Sequence, residues 1–185
     1  MRKKRTWHLK VTCVTRLRFY KYSEQKSFKK RTAMNFLIVF ITFVLMEGAT
    51  WLIHKYIMHG FLWTLHKDHH DHSTEGAFER NDYFFVIFAL PTIALMYFGS
   101  LANFNYVFFI GLGIMLYGMT YFFVHDIFIH QRFKFLTRTN NPYFMALRRA
   151  HKQHHKHIGK EHGECFGFLY VPFKYFKMYA KTSKK

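Results

Sequence analysis

Hydrophobic and polar positions divide this chain into long blocks. From residue 32 to residue 54 the only charged side chain is Glu47. Residues 83–125 contain no Lys, Arg, Asp or Glu at all. A membrane-spanning helix needs about 20 apolar residues. The first block therefore predicts one span over residues 34–53. The second predicts two, over residues 83–98 and 106–124, joined by a turn at residues 99–105 where Asn103 and Asn105 interrupt the apolar run. Pro91 is placed to kink the second span. The tail, residues 166–179, mixes aromatics with Lys174 and Lys177 around Pro172. That composition predicts an interfacial segment with snorkelling lysines in preference to a fourth span. The fold expected is all-α and integral to a membrane, with three to four spans.

Charge changes this picture in one respect. The formal net charge of +18 would suit nucleic acid if it were spread over a face. It is instead confined to the ends, and nucleic acid is not an expected partner. Residues 131–185 hold thirteen Lys and Arg while the turn at 99–105 holds none. The positive-inside rule then puts the span ends near His54 and His125 in the cytoplasm and the turn outside. Residues 1–31, with twelve Lys and Arg and one acid, Glu24, fall on the wrong side of that topology. Three readings follow: a disordered basic arm, a tether to anionic lipid, or, best, an extension before a natural start at Met34. The domain organisation expected is a basic extension over 1–33, a membrane domain over 34–173 and a basic tail over 174–185. Cys13 and Cys165 are isolated and fit neither a zinc motif nor a disulfide framework.

The candidate chemistry lies in the histidines. Twelve of fourteen fall in four groups. His54 and His59 form HxxxxH, which returns as His125 and His130. HKDHHDH at 66–72 returns as HKQHHKH at 151–157. Spans one and three run parallel, so all four groups reach one membrane face. Imidazole is the commonest neutral nitrogen ligand for transition metals, and ten such groups in matched halves suit two metals. His66, His69 and His70 have i, i+3, i+4 spacing, as do His151, His154 and His155, which predicts three rings on one helix face. The HxxxxH pairs are about 140° apart on an α-helix, so either one member of each pair reaches around or the helix opens there, as a π-bulge would allow. Gly60 offers a place for the helix to stop or bend. His72 and His157 are expected to face away from the metals, and His8 and His162 to lie on the surface. Glu47 sits two turns before His54, about 10 Å along the axis, and is expected to support the site. Asp68, Asp71 and Asp126 are further candidates for orienting rings or offsetting charge.

HxxxxH, HxxHH, HxxxxH, HxxHH is similar to the fatty acid hydroxylase superfamily of membrane non-haem di-iron oxygenases. Within it, MEGATWLIHKYIMHGFLWTLHKDHH (residues 46–70) resembles the bacterial β-carotene hydroxylases. The likeness covers residues 34–173. It implies two irons held by His54, His59, His66, His69, His70, His125, His130, His151, His154 and His155, with O2 as co-substrate and carotenoid rings hydroxylated at C3, in a bacterial inner membrane. The sequence has no dinucleotide fingerprint and no iron–sulfur Cys motif, so a separate donor of the ferredoxin type is implied. Two alternatives stay open: an acyl-lipid or sterol hydroxylase or desaturase with the same ligands, and a membrane metal-binding or transport protein. Transport would place polar ligands along the spans, whereas these stand at the span ends.

Overall fold

The structure, a computed structural model, describes residues 3–71, 78–134, 137–157, 159, 161 and 163–180. Its described residues form helices and connecting loops without a strand. Helix α1 runs over Lys3–Ile53 and passes directly into a π-helical segment, His54–Phe61. Helix α2 follows at Trp63–Asp71. A 3₁₀ turn at Arg80–Asp82 leads into α3, Tyr83–Leu101, and the hairpin partner α4 covers Tyr106–Tyr121. A second π-helical segment, Phe122–Ile129, extends α4. Helix α5, Pro142–His154, and helix α6, Phe173–Ala180, complete the order.

Among the described residues, three helical stretches are long and apolar enough to cross a membrane: Lys21–Phe61, Arg80–Leu101 and Tyr106–Ile129. Their outward faces carry large apolar side chains, among them Phe36, Phe40, Ile93 and Phe98, as lipid-facing helices must. The backbone of α1 is helical from Lys3, where a disordered arm was one of the readings. The physical reason is simple: no Gly or Pro occurs before Gly48 to interrupt it. Helix α6 has eight residues, too short to span, and packs against α5. Its exposed Phe173 and Met178 fit the interfacial reading of the tail.

Helix α4 is the centre of the membrane part and packs on both α1 and α3. Close approach needs small residues, since lipid offers no hydrophobic drive between helices. A Cβ on Gly113 would come within 2.7 Å of Thr42 Cβ and 2.9 Å of Val39 O on α1. The α3–α4 turn lies where the sequence places it. Asn103 and Phe104 take positive φ of 55° and 54°, and Asn105 caps α4 by accepting from Val107 N–H at 3.0 Å. Pro91 lies inside α3, which continues through it.

Candidate metal centre

His54, His59 and His125 lie in π-helical segments, and His130 caps the second one, its N–H donating to His125 O. Opening the helix to a wider turn brings residues five apart close to the same face, and the His54 and His59 rings stand 5.1 Å apart, those of His125 and His130 4.5 Å. Gly60 has non-helical dihedrals and turns the chain from the first π segment into α2. On the other half, Asn141 caps α5 by accepting from Tyr143 and Phe144 N–H with Pro142 in the first turn, which aims the second triplet at the same place.

The ten histidines meet there as two cages. Nitrogens of His54, His59, His66, His70 and His154 all lie within 4.8 Å of one another, and so do those of His69, His125, His130 and His151. His155 joins the second group, its Nε2 2.8 Å from His151 Nε2, and its ring stacks on His70 of the first at 4.3 Å. The three rings of each triplet do not all turn to one cage. Residues i and i+4 are about 40° apart, while i+3 lies about 60° to the other side. His66 and His70 therefore turn to the first cage and His69 to the second. His151 and His155 turn to the second and His154 to the first. Each cage thus takes an HxxxxH pair, the outer two rings of one triplet and the middle ring of the other.

Hydrogen bonds at Nδ1 fix several of these rings. His54 donates to Phe166 O at 3.1 Å, His154 to Glu164 O at 3.1 Å and His66 to Asn81 Oδ1 at 2.7 Å. His69 donates to Glu79 Oε2 at 2.9 Å. Burial holds the imidazoles of His66, His69, His70, His151 and His154 neutral, with His66 pulled down to about 3 chiefly by burial. His69 and Glu79 are therefore a neutral N–H on a carboxylate instead of an ion pair. A neutral ring that donates through Nδ1 has a bare lone pair at Nε2. Yet Nε2 of His54 faces Nε2 of His66 at 3.0 Å, and buried Nε2 atoms of His69 and His125 meet no hydrogen-bond partner. Facing lone pairs and orphaned acceptors are unfavourable unless a cation sits among them. The donor set fits a transition metal in each cage.

The surrounding carboxylates are arranged unevenly. Arg132 is bonded to Glu79 at 2.9 Å and Asp82 at 2.9 Å, and lies 3.5 Å from Asp126, whose Oδ1 is 3.6 Å from His125 Nδ1. Burial pushes the Glu79 carboxyl up, and the Arg132 guanidinium opposes it. Asp68 accepts from Arg80 N–H. Glu47 finds its hydrogen-bond partners among the described residues in Tyr117 and the chain at 168–170. Its Oε1 accepts from the N–H groups of Phe168, Leu169 and Tyr170 at 2.8–2.9 Å, and its Oε2 from Tyr117 O–H at 2.7 Å. It anchors the 166–170 strap, whose Phe166 ring packs on His54, His59 and His154, and whose Phe168 ring packs on Tyr121 and His125.

Among the other predicted residues, His157 stays outside both cages, 3.2 Å from Gln153. His72 and His162 lie outside the described residues, as does the side chain of His8. Asp71 is exposed at the end of α2. Sequence reasoning missed Glu79, Asn81, Arg132 and the two carbonyls. Glu79 and Asn81 carry one usable signal, being polar residues just before an uncharged span. The carbonyls carry none.

A fatty acid hydroxylase family model matches residues 39–174. Beta-carotene hydroxylase of Pantoea ananas is 46% identical over 138 residues, covering 75% of this chain and 78% of that protein. Beta-carotene hydroxylase of Pseudescherichia vulneris is 42% identical over 138 residues, 75% of this chain and 77% of that one. The chloroplastic Beta-carotene 3-hydroxylase 2 of Arabidopsis thaliana is 39% identical over 165 residues, 83% of this chain and 52% of that one. No solved structure matches the chain.

Proposed function

Because the chain belongs to the fatty acid hydroxylase family, we propose that it hydroxylates the β-ionone rings of β-carotene at C3, through β-cryptoxanthin to zeaxanthin. The observation that carries this reading is the pair of histidine cages at the ends of apolar spans, in a chain 46% identical to a β-carotene hydroxylase. The ten histidines would hold two irons, and iron, when bound, supplies activation of O2 toward a C–H bond that acid–base chemistry cannot touch.

The protein's own part is position and exclusion of water. The Nδ1 bonds of His54, His66, His69 and His154 keep each Nε2 aimed inward. Trp63, Tyr121, Phe166 and Phe168 pack against the rings and form an apolar shell around them. A hydrocarbon substrate dissolves only in the bilayer, so an oxidising site at the span ends lies where the end ring of a carotene can reach it. Electrons come from an external donor of the ferredoxin type, drawn to the basic face. That face is cytoplasmic by the positive-inside rule, with the protein in a bacterial inner membrane.

The test is pigment analysis of cells that accumulate β-carotene, express this chain and have a competent ferredoxin system. Zeaxanthin and β-cryptoxanthin are the expected products. Hydroxylated acyl lipids with no hydroxylated pigment would move the assignment to a lipid hydroxylase. Metal binding without any oxidised product would favour a metal-handling protein.

A further inference from the structure

The two cages have the same plan and different backing. Behind the first, the Nδ1 protons of His54 and His154 go to backbone carbonyls and that of His66 to an amide oxygen. All three acceptors are neutral. A cation, Lys55, stands on this side, its Nζ 5.8 Å from the Phe166 ring that packs on the cage. Behind the second, His69 donates to the Glu79 carboxylate at 2.9 Å, and Asp126 stands 3.6 Å from His125 Nδ1. Three carboxylates, those of Glu79, Asp82 and Asp126, converge on one guanidinium, Arg132, which leaves a net charge of −2 in that group.

From this asymmetry we propose that the cages are unequal metal sites, the cage of His69, His125, His130 and His151 being the tighter, with Glu79 and Arg132 as its positioning residues. The proposal rests on the reading above that both cages hold metal. An imidazole N–H bonded to a carboxylate makes the opposite nitrogen a stronger donor, and such outer partners typically change metal affinity 10–100-fold. The extra negative charge acts in the same direction on a divalent cation. Arg132 holds the carboxylates together where they would otherwise repel, and so keeps Glu79 on His69. Glu79 also has a structural role, since it exchanges hydrogen bonds with Asp82 in the capping box that opens the turn before α3. A useful variant must leave that role intact. Gln keeps the side-chain length and the residue 79 N–H that donates to Asp82, and its one amide oxygen can still accept from His69.

The experiment uses the full chain in detergent micelles, stripped of metal and titrated with Zn2+ against a chromophoric chelator. The wild type is expected to take two ions in two separated steps. Glu79→Gln should weaken the tighter step 10–100-fold and leave the weaker one in place. Asn81→Asp puts a carboxylate behind His66 and should tighten the weaker step, narrowing the gap. His125→Ala should remove the tighter step, which identifies its cage. Two steps of equal affinity in the wild type, or a Glu79→Gln chain with the tighter step unmoved, overturns the inequality while leaving two metals in place. Fewer than two ions in the wild type would sink the two-metal reading itself.

Discussion

The cage at the end of α1 and the cage at the end of α4 are the same device built twice. Each has a π-helical HxxxxH pair, two rings one turn apart and one ring borrowed from the opposite half. What differs is the neighbourhood. The first is supported by a strap of chain, residues 163–170, that supplies carbonyls and is itself held by Glu47. The second is supported by side-chain charges gathered on Arg132. Repeating a ligand pattern sets the number and direction of the nitrogens, whereas the unrepeated parts of the chain decide how each set is held.

The largest effects are expected from the borrowed rings. His69→Ala should cost the second cage its metal although the rest of its triplet lies in the first, and His154→Ala should do the converse. Each variant should retain about one metal ion, measured by elemental analysis, and lose turnover altogether, as the proposed two-iron reaction requires. Loss of metal from the cage of the variant's own triplet neighbours would break the exchange.

Next comes Glu47→Ala. It leaves three backbone N–H groups and the Tyr117 hydroxyl without their acceptor. The Tyr170 N–H is exposed and can turn to water, while an unmet buried donor costs about 1–3 kcal/mol. A stability loss of roughly 2–4 kcal/mol by thermal unfolding is expected, with first-cage metal affinity falling more than second-cage affinity, since the strap bonds His54. Equal loss from both cages would show that the strap serves them alike.

Acidification should act on both cages. His66, His69, His151 and His154 have pKa values below the ordinary histidine value in the folded protein, so below pH about 6.5 the unfolded chain binds more protons than the folded one. Stability should therefore fall as pH drops from about 6.5, continuing toward about 3 for His66, and metal release followed by chelator colour should track it. A stability that stays level between pH about 6.5 and about 4 would contradict the burial of neutral imidazoles. The smallest effect is expected from removing residues 1–33. A chain starting at Met34 should insert and turn over as the full one does, because the Nδ1 partners and packing rings of the cage histidines all lie beyond it.

Much of the site is legible in the sequence because histidine spacing and helix geometry are both periodic. HxxxxH cannot share a face in an α-helix, and that conflict leaves two solutions, a ring that reaches around or a helix that opens, of which the structure takes the second. Span parity brings the four groups to one side. The exchange of His69 and His154 is also implicit in the i, i+3, i+4 angles, but it becomes readable only when two metal positions, not one, define the facing direction. Glu79, Asn81 and Arg132 come from short connections with no period to betray them. The carbonyls of Phe166 and Glu164 are common to every residue type. Glu47 shows how an acid in an apolar helix stands out in the sequence while its partner, a strap more than a hundred residues on, stays hidden.

The borrowed rings have a consequence for biogenesis. Neither half of the chain can finish a cage by itself: α2 needs His154, and α5 needs His69. A ribosome that has released only the first half has therefore exposed four of the first cage's nitrogens, without the fifth. Full coordination becomes available only after the α3–α4 hairpin has inserted and α5 has docked. In the proposed two-metal reading, metal capture would thus be coupled to completed assembly, and a chain arrested halfway would present no finished cage to the membrane around it.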